Sequence, residues 1–158
     1  MPPDPSFCFP TSLGWLGITW SARGVRSLDL LSGPRAGQDA PDWIQEAARL
    51  ITAHLAGEPV ELRGVPLDLE GLAPFHRRVF EALHRTGPGE TLTYGHLASL
   101  AGSPGAARAV GQALKRNPLP ILVPCHRVLA ANGLGGFSLL GGLEAKRQLL
   151  ALEGVHPE

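Results

Sequence analysis

The rhythm of hydrophobic and polar positions changes about halfway along the chain. Residues 13–20 alternate aromatic, β-branched and small side chains, the two-residue period of a strand. Ser21-Ala22-Arg23-Gly24 supplies a turn, and residues 25–31 read as its hairpin partner. Residues 1–5 form a loose tail, and 6–10 a short apolar stretch. After a loop at 32–37 the period becomes helical. Trp43, Ala47, Leu50 and Leu55 fall on one face, Asp42 can cap, and Gly57 stops the helix. Residues 60–62 are a candidate third strand. From residue 72 onward the apolar patterns are helical, apart from the run at 120–123, which reads as an extended strand leading to Cys125. Leu72, Phe75, Val79, Phe80 and Leu83 mark one helix, ended by Gly87-Pro88-Gly89, and Leu97, Leu100 and Ala101 mark a short second one. Gly102-Ser103-Pro104 is a tight break, with Ser103 expected to cap and Pro104 to open a helix over 104–116. A last helix is expected over 142–154.

These patterns predict an α/β N-terminal subdomain with a small antiparallel sheet. A mostly α C-terminal domain with a helix-turn-helix follows it. The expected division is a supporting domain at 1–63, a linker at 64–71 and a helical domain at 72–158.

Charge sharpens the division. The 158 residues carry no net charge, but residues 1–70 hold five Lys/Arg against nine Asp/Glu, and residues 71–158 hold nine against five. Such an imbalance suits a second half that meets a polyanion. The basic residues also cluster. In the 104–116 helix Ala107, Val110 and Leu114 face one way, while Gly105, Arg108, Ala109, Gln112 and Arg116 face the other, with Lys115 at the margin. That outer face is small or basic and has no acid, which fits a helix lying against phosphates better than an ordinary surface of mixed sign. Two cysteines, Cys8 and Cys125, make no disulfide framework. The first five residues lack the regions of a signal peptide, and no apolar run is long enough to span a membrane, so a cytoplasmic protein is expected.

The candidate chemistry sits at Pro120-Ile121-Leu122-Val123-Pro124-Cys125-His126-Arg127-Val128. An apolar run delivers a cysteine to a bend stiffened by proline, with a histidine and an arginine directly after it. A thiol is nucleophilic as the thiolate, which a neighbouring base or cation favours. A buried structural cysteine is the bland alternative for an isolated Cys-His pair. Residues 130–142 hold five glycines and no charge, a loop able to wrap a flat ligand. Glu153 shares a face with Leu143, Lys146, Leu149 and Leu150. An acid among leucines needs a partner, either His126 in a relay to Cys125 or a cation such as Lys146.

Pro-Cys-His-Arg-Val resembles the active-site signature of the O6-alkylguanine-DNA alkyltransferases, the methylated-DNA–protein-cysteine methyltransferases. Arg108-Ala109-Val110-Gly111, Asn117-Pro118 and Pro120-Ile121 precede it in the family's order, and Gly141-Gly142, Lys146, Leu149-Leu150 and Glu153 follow. The resemblance is dense over residues 75–154. It implies repair of O6-alkylguanine, and of O4-alkylthymine, in double-stranded DNA by irreversible transfer of the alkyl group to Cys125, once per molecule and without metal or organic cofactor. His126 and Glu153 would serve Cys125. The flipped base would meet Tyr94, Val128, Phe137 and Ser138. DNA would be held by Thr93, Tyr94, Ala109, Gln112, Lys115 and Arg116, with Arg108 as the inserted finger, and Asn117 would brace the turn before the active site. The protein is expected to act as a monomer, since no dimerisation helix is evident. Phe137 stands where a tyrosine is frequent in the family. Three rival readings are a lesion sensor that binds without transfer, a helix-turn-helix regulator, and a Cys-His hydrolase. Cys125 argues against the sensor, whose kind replaces it, and the basic helix has no use in a hydrolase.

Overall fold

The computed structural model describes residues 4–37, 39–137 and 139–156. Three strands, β1 (Ser6–Thr11), β2 (Gly14–Ser21) and β3 (Gly24–Leu30), form an antiparallel meander in the order β1-β2-β3. The expected hairpin is β2-β3, paired from Leu16↔Leu30 to Ser21↔Gly24 with a register shift at Thr19/Trp20. The third strand is β1 and not residues 60–62, which run without regular structure. Pro10 makes the β1 stretch read poorly as a strand, but proline is tolerated on an edge strand, and β1 is one. Leu16, Ile18 and Trp20 alternate into the core.

Helix α1 (Asp42–Leu55) packs below the sheet. Its buried stripe is Ile44, Ala47, Ala48, Ile51 and Leu55, one residue round from the expected face, so Trp43 stays on the surface. Asp42 is the first helical residue, with Pro41 at the N-cap and no side-chain cap. Residues 65–68 pair along β3: Val25 donates to the Pro66 carbonyl and Asp68 donates to that of Val25, both at 2.9 Å. Helix α2 (Pro74–His84) buries Val79, Phe80 and Leu83, as its apolar spacing requires.

The helix-turn-helix follows. Strand β4 (Leu92–Thr93) leads into α3 (Tyr94–Leu100), where the Thr93 hydroxyl caps the helix by accepting from the His96 amide at 3.1 Å. Helix α4 (Ala107–Lys115) starts three residues later than its sequence suggests. Gly105 takes φ +87°, which adds a turn, so neither Ser103 as cap nor Pro104 as first residue holds, and Ala106 occupies the N-cap. Val110, Ala113 and Leu114 anchor α4, while Arg108, Ala109, Gln112, Lys115 and Arg116 are exposed. A single 3-10 turn (Cys125–Arg127) leads into β5 (Val128–Leu129), which pairs in parallel with β4. Helix α5 (Leu143–Leu152) buries Ala145, Lys146, Leu149 and Leu150, and its first residue, Leu143, is exposed instead of inward. No helix among the described residues is long and apolar enough to cross a membrane.

One hydrophobic core runs from the sheet through α1 and α2 to α4 and Cys125. The N-terminal half therefore supports the Cys125 segment directly. Beyond the pairing of β3 with residues 65–68, its Leu28 amide donates to the Pro118 carbonyl at 2.9 Å.

Candidate active site

The Cys125 segment is a set of tight turns, not the extended strand its apolar residues suggest. Val123 donates back to the Leu119 carbonyl at 2.7 Å, and Cys125 to that of Val123 at 2.7 Å. Asn117 closes this turn from inside: its Nδ2 donates to the Val123 carbonyl and its Oδ1 accepts from the Leu119 amide, both at 2.9 Å. Ile121 sits at φ +76°, a conformation a β-branched residue adopts only when its surroundings impose it. The imposing contacts are the Asn117 brace, the buried Ile121 side chain and the His84 ring, whose nitrogens lie against the Leu122 and Val65 carbonyls.

Cys125 is 5 % exposed. Burial pushes its thiol up to about 11, against the opposing pull of Asn117, the Lys146 cation and its own backbone. The resting group is therefore a protonated thiol that needs a base. His126 is fully buried beside it, and burial lowers its proton affinity further than Glu153 restores it. Its Nε2 donates to Glu153 Oε2 at 2.8 Å. Its Nδ1 is the one buried side-chain nitrogen or oxygen among the described residues with no hydrogen-bond partner. A carboxylate on Nε2 leaves the lone pair on Nδ1, the form a general base requires.

Glu153 ends α5 at the C-cap, where its side chain gathers five donors. Oε2 accepts from His126, from Arg127 Nη2 at 2.9 Å and from His54 Nε2 at 3.2 Å. Oε1 accepts from Arg127 Nε at 2.9 Å and from the Gly89 amide at 3.2 Å. Burial opposes the charge on Glu153, but the hydrogen bonds from His126, His54 and Arg127 outweigh it and hold the carboxyl below the usual carboxylate range. Arg127 is itself buried and also donates to the Thr86 carbonyl and hydroxyl. Lys146, the alternative partner for Glu153, turns elsewhere: its Nζ donates to the Val128 carbonyl at 2.7 Å and the Gly136 carbonyl at 3.0 Å, 5.9 Å from the Phe137 ring centre.

His54, His126 and Glu153 place ligating atoms within 4.8 Å of one another, close enough for a small cation. The Arg127 guanidinium already spans both carboxylate oxygens, so a metal would have to displace a buried, paired cation.

On its other side Cys125 borders a cavity of about 450 Å³, walled mainly by Tyr94, Gly111, Leu114, Gly135, Phe137 and Leu139, with Lys115 at its edge. Burial raises the Tyr94 phenol, partly offset by a hydrogen bond with the Gly136 backbone, so it stays protonated. Val128 was expected in this wall, but its side chain is fully buried in the core and only its carbonyl serves the site, through Lys146. Ser138 lies outside the described residues. A larger cleft of about 690 Å³, bordered by Arg63, Asp68, Glu81 and Arg85, is lined by none of the Cys125 cluster.

The sequence reading missed His54 and Arg127. Arg127 was legible only as a cation next to the thiol, not as the partner of Glu153. His54 carried one signal: it falls at helical spacing on the α1 face with Ala47 and Ile51, a polar residue where an apolar one belongs.

Residues 74–155 match the 6-O-methylguanine DNA methyltransferase, DNA binding domain. Over 153 residues the chain is 38 % identical to the methylated-DNA–protein-cysteine methyltransferase of Methanosarcina acetivorans, covering 92 % of this chain and 96 % of that one. The fold superposes on Mycobacterium tuberculosis OGT in complex with DNA with a TM-score of 0.77 at 39 % identity, over 94 % of this chain and 92 % of that one. The O6-methylguanine-DNA methyltransferase of Pyrococcus kodakaraensis aligns with a TM-score of 0.69 at 28 % identity, over 95 % and 98 % of the two chains. With a buried thiol between an oriented histidine and an apolar cavity, and relatives that match from end to end, the chain belongs to the 6-O-methylguanine DNA methyltransferase family, the methylated-DNA–protein-cysteine methyltransferases.

Proposed function

We propose that the protein repairs double-stranded DNA by moving the alkyl group of O6-alkylguanine, and of O4-alkylthymine, onto Cys125, once per molecule. The observation that carries this is that Cys125 lines the cavity while the residue directly after it, His126, is held by Glu153. The lesion oxygen is out of reach inside a stacked duplex, so the nucleotide must leave the stack. The exposed face of α4 is the surface that holds the backbone, through Lys115, Arg116 and Gln112, with Ala109 allowing close approach and Thr93 at the start of α3. Arg108 fills the gap left by the base. The extruded base enters the cavity beside Tyr94 and Phe137.

His126 Nδ1 takes the Cys125 proton through a bridging water, and Glu153 steadies the resulting imidazolium. Sulfur attacks the alkyl carbon. The new S–C bond forms as the C–O6 bond breaks, and the bonding pair leaves with the base. The protonated Tyr94 donates a hydrogen bond to the charge developing there. Among the described residues no second nucleophile or base is arranged to remove the thioether, so the product is dead protein. Residues 72–158 carry these functions, and residues 1–63 support them across the 64–71 connection.

Intact-mass measurement after incubation with duplex DNA carrying one O6-methylguanine tests the reading. One methyl-sized gain per molecule, confined to Cys125 and absent in Cys125→Ala, is expected. Tight lesion-dependent binding without any gain would make the protein a sensor and sink the transferase.

A further inference from the structure

Glu153 Oε2 serves two imidazoles at once, one from each half of the chain. His126 comes from the active-site turn, and His54 comes from α1, 99 residues before Glu153 in sequence. His54 is 3 % exposed and stands among Ala47, Ile51 and Leu55, where an aliphatic side chain would pack at lower cost. What it gains is one hydrogen bond, to the oxygen that also holds His126. An ionised carboxylate can only accept, so both Nε2 atoms carry protons.

We propose that His54 is a positioning residue for alkyl transfer: it fixes the Glu153 carboxylate from the N-terminal half, so that Glu153 holds His126 with Nδ1 free toward Cys125. The inference rests on the transferase reading above. Arg127 alone fixes the carboxylate in the plane of its own guanidinium, through Nε and Nη2. A fork of that kind still lets the carboxylate rock about the axis of the fork. His54 and the Gly89 amide approach from outside it, one on each oxygen, and remove that freedom. His54 also draws on the same lone pairs that stabilise a protonated His126, and so restrains the base from holding its proton too tightly. The groups acting on His126 are Glu153 from the end of α5, Arg127 from its own turn, and His54 from α1. Arg127 and His54 both oppose a positive charge on it.

The test is single-turnover alkyl transfer from O6-methylguanine duplex DNA as a function of pH, for the intact protein and its His54→Phe and His54→Gln variants. Phenylalanine keeps the ring volume and removes the donor, while glutamine keeps a donor. His54→Phe is expected to slow transfer roughly tenfold, the lower end of what loss of a direct hydrogen-bond partner costs at metal-bound histidines, and to move the acid limb of the profile to higher pH. His54→Gln is expected to recover most of the rate and to return the limb toward its original position. Lesion-DNA affinity is expected to stay the same in both, since His54 is buried and takes no part in the exposed face of α4. Nitrogen-15 NMR of His126 gives a readout independent of activity: a uniform Nε2–H tautomer in the intact protein and a mixed one in His54→Phe. Equal rates, limbs and tautomers in all three proteins would overturn the role of His54 while leaving the transferase intact. A total lack of transfer in the intact protein would instead overturn the transferase reading, and the tautomer measurement would still decide on His54.

Discussion

The two sides of Cys125 are built on opposite principles. On the His126 side lies a polar network in which Glu153 accepts five hydrogen bonds and Arg127 shares its donors between Glu153 and Thr86. On the other side lies a cavity walled by carbon and glycine, with Tyr94 and Lys115 as its polar members. A network with all its partners present is rigid, because moving any member strands a buried charge. A glycine-rich wall has few contacts to lose and can shift to admit a flat guest. In the proposed reaction the nucleophile thus has its proton acceptor fixed and its substrate space left open. The single buried side-chain nitrogen without a partner among the described residues is His126 Nδ1, the atom to which the proposed mechanism gives the thiol proton.

The comparison is broken most severely from the network side. Glu153→Gln removes the anion that Arg127, His126 and His54 share, and leaves the Arg127 cation buried without its counter-charge. Breaking a buried pair in this way costs about 3–5 kcal/mol, to be read from urea unfolding at pH 7, together with a collapse of the transfer rate. The pH dependence has a fixed sign. The folded carboxyl lies below its ordinary value of 4.5, so its stabilisation is complete above pH 4.5 and is lost as pH falls. The gap between the intact protein and Glu153→Gln should therefore narrow in acid. A gap unchanged at pH 3 would show that the ionised carboxylate is not what holds the network.

From the cavity side the same blow should be lighter on stability and fall on catalysis. Gly135 sits at φ +76°, and a Cβ there would lie 3.1 Å from both the Ala130 nitrogen and the Tyr94 hydroxyl. Gly135→Ala carries the left-handed backbone cost of about 1–2 kcal/mol and pushes Tyr94 out of place. Transfer from duplex DNA is expected to fall roughly tenfold, equivalent to about 1.4 kcal/mol in the barrier, with the His126 pH limb unmoved. A shifted limb would mean that the two sides are not separable.

Sequence reached the two sides unequally. Glu153 was legible as an acid on a leucine face, out of character for a core, and Cys125 with His126 through the family signature, since a Cys-His pair alone reads equally as a buried structural cysteine. Tyr94, Phe137 and the glycine loop were legible through the family pattern. The basic face of α4 followed from its periodicity, although Gly105 shifted the helix start by a turn no spacing rule foresaw. Val128 was expected in the cavity wall from the family resemblance, and here its side chain turns into the core while its carbonyl meets Lys146. His54 and Arg127 were missed because each is defined by a partner far away in sequence, at 99 and 26 residues from Glu153. A lone buried histidine on a helix is recognisable as an oddity, but its reason becomes visible only when α1 and α5 are brought together.

Lys146 stands on the border of the two sides, and its titration gives the smallest and most delicate test. It is fully buried, and its Nζ ties the Val128 carbonyl of β5 to the Gly136 carbonyl of the cavity loop. Burial lowers it to about 8, although the nearby Cys125 works the other way. Above pH 8 the folded chain gives up this proton while the unfolded chain keeps it up to the ordinary lysine value of 10.5. The unfolded state then binds more protons, so stability rises with pH. The Cys125 thiol does the reverse from its ordinary 9 to about 11, because there the unfolded chain loses its proton first. Between pH 8 and 9 the lysine therefore acts ahead of the thiol, and a gain of about 1 kcal/mol is expected across that unit. Lys146→Met should flatten the rise, and Cys125→Ala should let it continue above pH 9. A flat curve in the intact protein would mean that the two carbonyls compensate the buried cation fully, and that Lys146 belongs with the fixed network and not with the open wall.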